Sequence, residues 1–341
     1  MTFRPLCIPS LRLSFRRARR TGLAASASAL ASGAGAQTRA ARLSALACLL
    51  GLAAAPALAA GNPAAPKPVG DAAPAAEPTA AAPAPLSDEV AMPELPIRIV
   101  QDGDRSYLES LCVQMRDASG AEVMLIGTIH LGDESYYHEC QKLVDACDRV
   151  FYEDLAGGTM ALAWQLRHKA KEGRLTDRER DLLEQINRID YNPDSEDNRW
   201  AAAHGLRRQT QVIDYGGPQF VWADVRQQDM PALLQKYGPQ QPFAIPRLED
   251  PELSGEVTPE RRMRSRLAVR LSEPRGARYV MKTPFMTERD FRCMEIFDAK
   301  RGSARHMGIL YGTMHLPHLV DLLRERGFRV QSLRWYRAFG Y

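Results

Sequence analysis

The chain has 341 residues, a quarter of them charged, with 45 basic against 41 acidic side chains and a formal charge of +4. Eight of the arginines (positions 4, 12, 16, 17, 19, 20, 39 and 42) fall in the first 59 residues, which hold no lysine and no acid. With those eight set aside, 37 basic residues stand against 41 acids, a net charge near −4, so the basic balance is no argument for a nucleic-acid partner.

The N-terminus comes first. Leu43 to Ala59 is an apolar run rich in Ala and Leu that ends Ala57-Leu58-Ala59. A basic flank, an apolar stretch and a small-x-small exit describe a secretory signal peptide, residues 1–59, cleaved after Ala59. A periplasmic or secreted location follows. Two rival readings stand beside it. One is an uncleaved membrane tether, although 17 residues with Pro56 inside are at the short limit for a span. The other is a lipid anchor at Cys48, although no Leu stands three residues before it. Residues 60–95 are mostly Ala and Pro and bury too little to order themselves, so they read as a linker. Residues 96–341 then form the folded part. Its four cysteines, Cys112, Cys140, Cys147 and Cys293, contain no CxxC and read as free, buried thiols.

In chain order, Tyr107–Met115, the turn Asp117-Ala118-Ser119-Gly120 and Glu122–Ile126 read as a hairpin. Glu134–Cys147 has helical spacing, with Tyr137, Cys140, Leu143, Val144 and Cys147 on one face. Asp148–Glu153 is a buried strand ending in acids. Strand, loop, helix and strand make a βαβ unit. The middle, about 157–285, is a helical insertion. Helices are expected over Met160–Lys171, Thr176–Ile189, Asn198–Leu206, Asp224–Tyr237 and Pro259–Leu271. A short strand is expected over Gln209–Asp214 and a loop over Pro239–Gly255. The arginine run at 261, 262, 264 and 266 reads as a solvated helix face. The end returns to α/β: a helix over Thr287–Lys300 with Thr287 as its cap, a strand over Met307–Tyr311, a helix over Pro317–Arg326 closed by Gly327, and a strand over Phe328–Leu333. The fold class is α/β, with a central, mostly parallel sheet.

One element occurs twice. Gly127-Thr128-Ile129-His130 follows one apolar strand and Gly312-Thr313-Met314-His315 follows another. In open α/β sheets ligands bind at the carboxyl ends of the strands. Each Gly is expected to let the backbone turn sharply, and each Thr to hold the loop or orient a neighbour. If both strands are central and parallel, the two imidazoles converge and Glu153 joins them from the strand between. Two imidazoles and a carboxylate suit a divalent transition metal, which would make bound water a nucleophile at neutral pH. Asp154 points elsewhere if the strand continues. Arg289 either binds substrate or pairs with Glu153 or a surface acid. His318, three residues after His315, is either a partner behind the site or an exposed helix residue. Trp222-Ala223-Asp224 is a candidate pocket edge. GxSxG, HExxH, GxGxxG and Walker A motifs are absent.

The order of these features resembles the TraB/GumN/TIKI group over roughly residues 107–336. The series is GTxH, helix, strand ending in Glu, helical middle, Glu288-Arg289-Asp290, then GxxHxP before a Gly-capped helix. That resemblance implies a ChaN/EreA-like core, metal-dependent proteolysis, and manganese or cobalt, with zinc also compatible. Its matching positions are Gly127, His130, Glu153, Arg289, Gly312 and His315. Asp290 departs from the Asn usual in the group. The resulting expectation is an exported metal-dependent hydrolase acting on peptide or ester bonds of a peptide or small molecule. The metal ligands would be His130, Glu153 and His315, with Arg289 handling substrate. Two alternatives stand: a non-catalytic protein on the same fold that binds a peptide, metal or haem-like ligand, and a metal-free esterase with a His as general base. The oligomeric state is not legible.

Overall fold

The central strands are apolar at successive positions, so they offer an apolar face on each side of the sheet, and both faces are covered. The computed structural model describes residues 89–155, 157–189, 196–239, 248–249, 251–253 and 255–341. The leader and most of the linker lie outside these residues. The strands are β1 (Ile97–Asp102), β2 (Arg105–Arg116), β3 (Glu122–Thr128), β4 (Leu131–Gly132), β5 (Arg149–Tyr152), β6 (Arg207–Arg208), β7 (Phe220–Trp222), β8 (His306–Gly312) and β9 (Arg329–Gly340). The helices are α1 (Glu134–Asp145), α2 (Thr159–Lys171), α3 (Asp177–Ile189), α4 (Glu196–Ala203), α5 (Gln209–Val212), α6 (Met230–Gln235), α7 (Pro259–Leu271), α8 (Pro274–Met281), α9 (Pro284–Lys300) and α10 (Leu316–Glu325).

Seven strands form one mixed sheet. The half that carries the two GTxH motifs is parallel, in the order β3-β8-β5-β7. The other half is antiparallel: β2 pairs with β9 along one edge, and with β1 and then β3, end to end, along the other. Val123, Leu125, Phe151, Ile309 and Tyr311 face α9 and α10. Ile126, Val150, Tyr152 and Leu310 face the opposite side, against α1 and the segment around Tyr215. The result is a three-layer α/β architecture, as the sequence leads one to expect. Among the described residues no helix is long and apolar enough to cross a membrane. All four described cysteines are free. Burial pushes the Cys112 thiol up to about 12, which leaves it inert.

The hairpin, the βαβ unit and the flanking helices lie where the pattern puts them. The differences have local causes. Gln209–Asp214 does not extend as a strand: only Arg207 and Arg208 pair, with β4. The chain then winds into α5, because the Gln209 N–H donates to His130 O and the Arg208 N–H to Gln211 Oε1. The helix expected over Asp224–Tyr237 is only α6, with Pro231 in its first turn, where a missing N–H is harmless. Residues 220–222 are an edge strand instead. α9 starts one turn before Thr287. Thr283 is its cap, its hydroxyl accepting from Met286 N, and Pro284 opens the helix. β9 runs on to Gly340 because β2 offers a partner along that whole length. β1 and α8 are further elements, outside those expected from the sequence. Residues 89–95, read as linker, pack on the domain: Val90 N–H donates to Val330 O, and Arg324 Nε to Glu89 Oε1 at 2.6 Å.

The two motif glycines serve a purpose other than the expected sharp turn. Neither has a positive φ, and that of Gly312 is −53°. Space is what requires them. A Cβ on Gly127 would lie 2.5 Å from Leu111 O, 2.9 Å from Leu316 Cδ2 and 2.9 Å from Thr313 Oγ1. The carbonyl belongs to a paired strand and cannot retreat. Gly127→Ala is therefore expected to cost about 1–3 kcal/mol through overpacking. Urea unfolding would read this, and an unchanged midpoint would refute the packing argument.

Candidate active site

The parallel pairing sets the geometry. Thr128 lies beside Gly312 and Gly127 beside Tyr311, so the two motifs sit side by side with an offset of one residue. All four carboxyl strand ends, after Thr128, Tyr152, Trp222 and Gly312, open on one edge of the sheet. His130, Glu153, Asp224 and His315 follow them there within three residues. The threonines hold the loops as expected. Thr128 Oγ1 donates to Tyr311 O at 3.2 Å, and Thr313 Oγ1 to Pro96 O at 2.8 Å.

The sequence-predicted residues converge on Gly312. A methyl placed on that glycine would lie 3.2 Å from Glu153 Oε2, 3.7 Å from His315 Cδ2 and 3.8 Å from His130 Nε2. The chain paths then differ. After β3 the chain passes through His130 into β4, which leaves that residue half-buried. After β8 it winds into a short 3-10 turn, Thr313–His315, which buries His315 to 1% exposure.

Arg289 is the centre of the charge network. Its buried guanidinium grips Asp224 twice, Nε to Oδ1 at 3.0 Å and Nη2 to Oδ2 at 2.7 Å. It also donates to Glu153 Oε1 at 2.5 Å. Of the two roles open in the sequence, the structure has the ion pair with Glu153. At 2% exposure Arg289 is sealed from solvent behind Glu153 and His315. Asp224, a pocket-edge candidate by sequence, is its strongest partner. Asp224 Oδ2 also accepts from Asp154 N, and Oδ1 from Val225 N, which ties the loops after β5 and β7 together. Asp154 points away, as alternation requires, and its Oδ2 accepts from Met160 N at the start of α2.

Asp290 and His318 complete the cluster. Asp290 Oδ1 accepts from His315 Nδ1 at 2.5 Å, and Oδ2 from His318 Nδ1 at 2.8 Å. His318 is thus a partner behind the site and not a free surface residue. Asp290 was visible only as a departure from a pattern. The signal that could have found it is its place on the buried stripe Met286, Asp290, Cys293, Phe297 of α9, where an acid needs a partner.

Electrostatics follow from these contacts. Burial opposes charge on Glu153, but Arg289, the two histidines and the Gly312 N–H at 2.5 Å outweigh it and hold the carboxyl well below its ordinary range. Burial lowers His130 as well, reinforced by Arg208 and Arg289 and only partly opposed by Glu153, so its imidazole is neutral near pH 7. The residue types would suit a metal, but as placed they do not form a ligand set. Both Glu153 oxygens accept from N–H groups. A cation shared by Glu153 and His315 Nε2 would abut Arg289, whose Nη1 lies 3.4 Å from that nitrogen. Among the described residues no three His, Cys, Asp or Glu side chains gather as a metal site.

No family model matches the chain, and neither the curated proteins nor the solved structures give a match.

Arg289→Met leaves two buried carboxylates without their cation and is expected to cost about 3–5 kcal/mol. A loss under about 1 kcal/mol in urea unfolding would refute the central role of the ion pair. Because the folded Glu153 titrates below its ordinary value of 4.5, its stabilising contribution is full above that value and is lost as pH falls toward the folded one. Glu153→Gln should therefore flatten the acid limb of the stability curve, which unfolding midpoints measured from neutral pH downward would show.

Proposed function

We propose that the chain is an exported hydrolase of ester or amide bonds in which His130 is the general base on water. One observation carries this reading. A neutral, half-buried imidazole and a second, fixed imidazole lie within about 4 Å of one point at the carboxyl edge of a parallel sheet, beside an ionised carboxylate. Water approaching that point gives its proton to His130 Nε2 as its oxygen attacks the carbonyl carbon. The negative charge of Glu153 stabilises the imidazolium that forms. His315, fixed between Asp290 and Arg289, presents its Cδ2 edge beside that point and confines where the water can sit. His130 then returns the proton to the leaving alcohol or amine. Arg289 takes no part in proton transfer; it holds Glu153 charged and in place. Export rests on the N-terminal leader pattern, and a relationship to the TraB/GumN/TIKI group rests on the motif order.

The metal-dependent form implied by that resemblance is the second reading. The convergence of His130, Glu153 and His315 on Gly312 favours it, and it requires Arg289 to give up Glu153.

The test uses the purified full chain against panels of esters and peptides, with and without a chelator, alongside its metal content. Turnover that resists the chelator and falls about 10²–10⁴-fold in His130→Ala is expected. Turnover abolished by the chelator, with near-stoichiometric manganese, cobalt or zinc lost in the His130→Ala/His315→Ala double variant, would replace it with the metal reading. Tight ligand binding with no turnover would favour a binding protein.

A further inference from the structure

Resting on that reading of His315 as the ring that confines the water, we infer that His318 is a positioning residue. Through Asp290 it holds His315 with the hydrogen on Nδ1 and the lone pair on Nε2, where the Arg289 Nη1 N–H approaches at 3.4 Å.

The donor and acceptor inventory leads there. A carboxylate only accepts and a guanidinium only donates. Asp290 Oδ1 lies 2.5 Å from His315 Nδ1, and Arg289 Nη1 lies 3.4 Å from His315 Nε2. Both neighbours therefore ask for the same tautomer, with hydrogen on Nδ1 and a lone pair on Nε2. Asp290 is 1% exposed, so its second oxygen also needs a donor, and His318 Nδ1 supplies one at 2.8 Å. His318 sits one turn along α10 from His315, so both rings reach the same carboxylate from one helix face. The Phe291 ring meets His318 edge-on, with centroids 5.3 Å apart, and limits its rotation. With both oxygens occupied, Asp290 cannot rotate away from His315.

An amide at position 290 could not serve both rings alike. Its oxygen would accept from one, and its NH₂ would donate to the other, so the two histidines would carry opposite tautomers. The acid at this position and the second histidine therefore act together. The side chain of His318 is 29% exposed, so its ring is the one in this relay that meets solvent.

The experiment reads imidazole ¹⁵N resonances of the full chain at alkaline pH, assigned by single substitutions among its seven histidines. Wild type should show hydrogen on Nδ1 in both His315 and His318. His318→Ala should turn His315 into a mixture of tautomers, and His318→Asn, whose amide can donate where Nδ1 did, should restore the single form. Asp290→Asn should split the pair into opposite tautomers. A single Nδ1–H form of His315 in His318→Ala, no restoration by Asn, or two unchanged rings in Asp290→Asn would each overturn the inference. Should the alanine variant fail to fold, the two asparagine variants decide. No substrate is involved, so failure here is separate from failure to detect hydrolysis.

Discussion

A guanidinium sealed from water must be matched by anions, and Arg289 is matched by two. Asp224 grips it from the end of β7 and Glu153 from the end of β5. This demand fixes where α9 docks on the sheet, because its buried stripe carries the cation. It ties together three segments that are distant in sequence, residues 153, 224 and 289. It also sets the state of the site. Glu153 is ionised because a cation stands behind it, and His130 is neutral because it is buried near two. Replacing such a network by well-packed apolar residues often costs nothing, whereas removing one partner alone leaves a buried charge unpaired and is costly.

The two GTxH motifs are alike in sequence and unlike in structure. The difference begins with the one-residue offset of β3 against β8 and grows in the loops. One loop continues into β4 and leaves its imidazole half-buried. The other coils into a 3-10 turn and sinks its imidazole against α9. A division of labour follows: one ring can meet water directly, while the other is held by an acid behind it. The motif threonines act as clamps, and the motif glycines keep neighbouring atoms at contact distance.

The sheet was legible in the sequence where apolar runs or periods were clear. β3, β5 and β8 are short apolar runs, β2 alternates weakly, α1 and α10 have 3.6-residue apolar spacing, and His130, Glu153 and His315 followed from their strand ends. β7 was not legible, since three residues carry no period. α5 was not, since a strand-like run is turned into helix where Gln209 N–H meets His130 O and Arg208 N–H meets Gln211 Oε1. The partners behind the site were also hidden. Asp224 showed only as a candidate pocket edge and Asp290 only as a departure from a pattern; their burial, 0% and 1%, is what marks them as partners. Arg289 was singled out, but which of its two roles it takes depends on contacts about 65 and 136 residues away in sequence.

The segment just before β1 behaves as a strap. Val90 is hydrogen-bonded beside the start of β9, next to the C-terminal end of α10, where Glu89 meets Arg324. Six residues later Pro96 receives the Thr313 hydroxyl beside the start of α10. The strap thus crosses the sheet from its amino edge to its carboxyl edge, within the roughly 20 Å that six residues can span at most. Any chain upstream of residue 89 therefore joins the body at the pole opposite the crevice. If that chain is fastened to a surface, it leaves the body from the edge of the sheet away from His130 and His315.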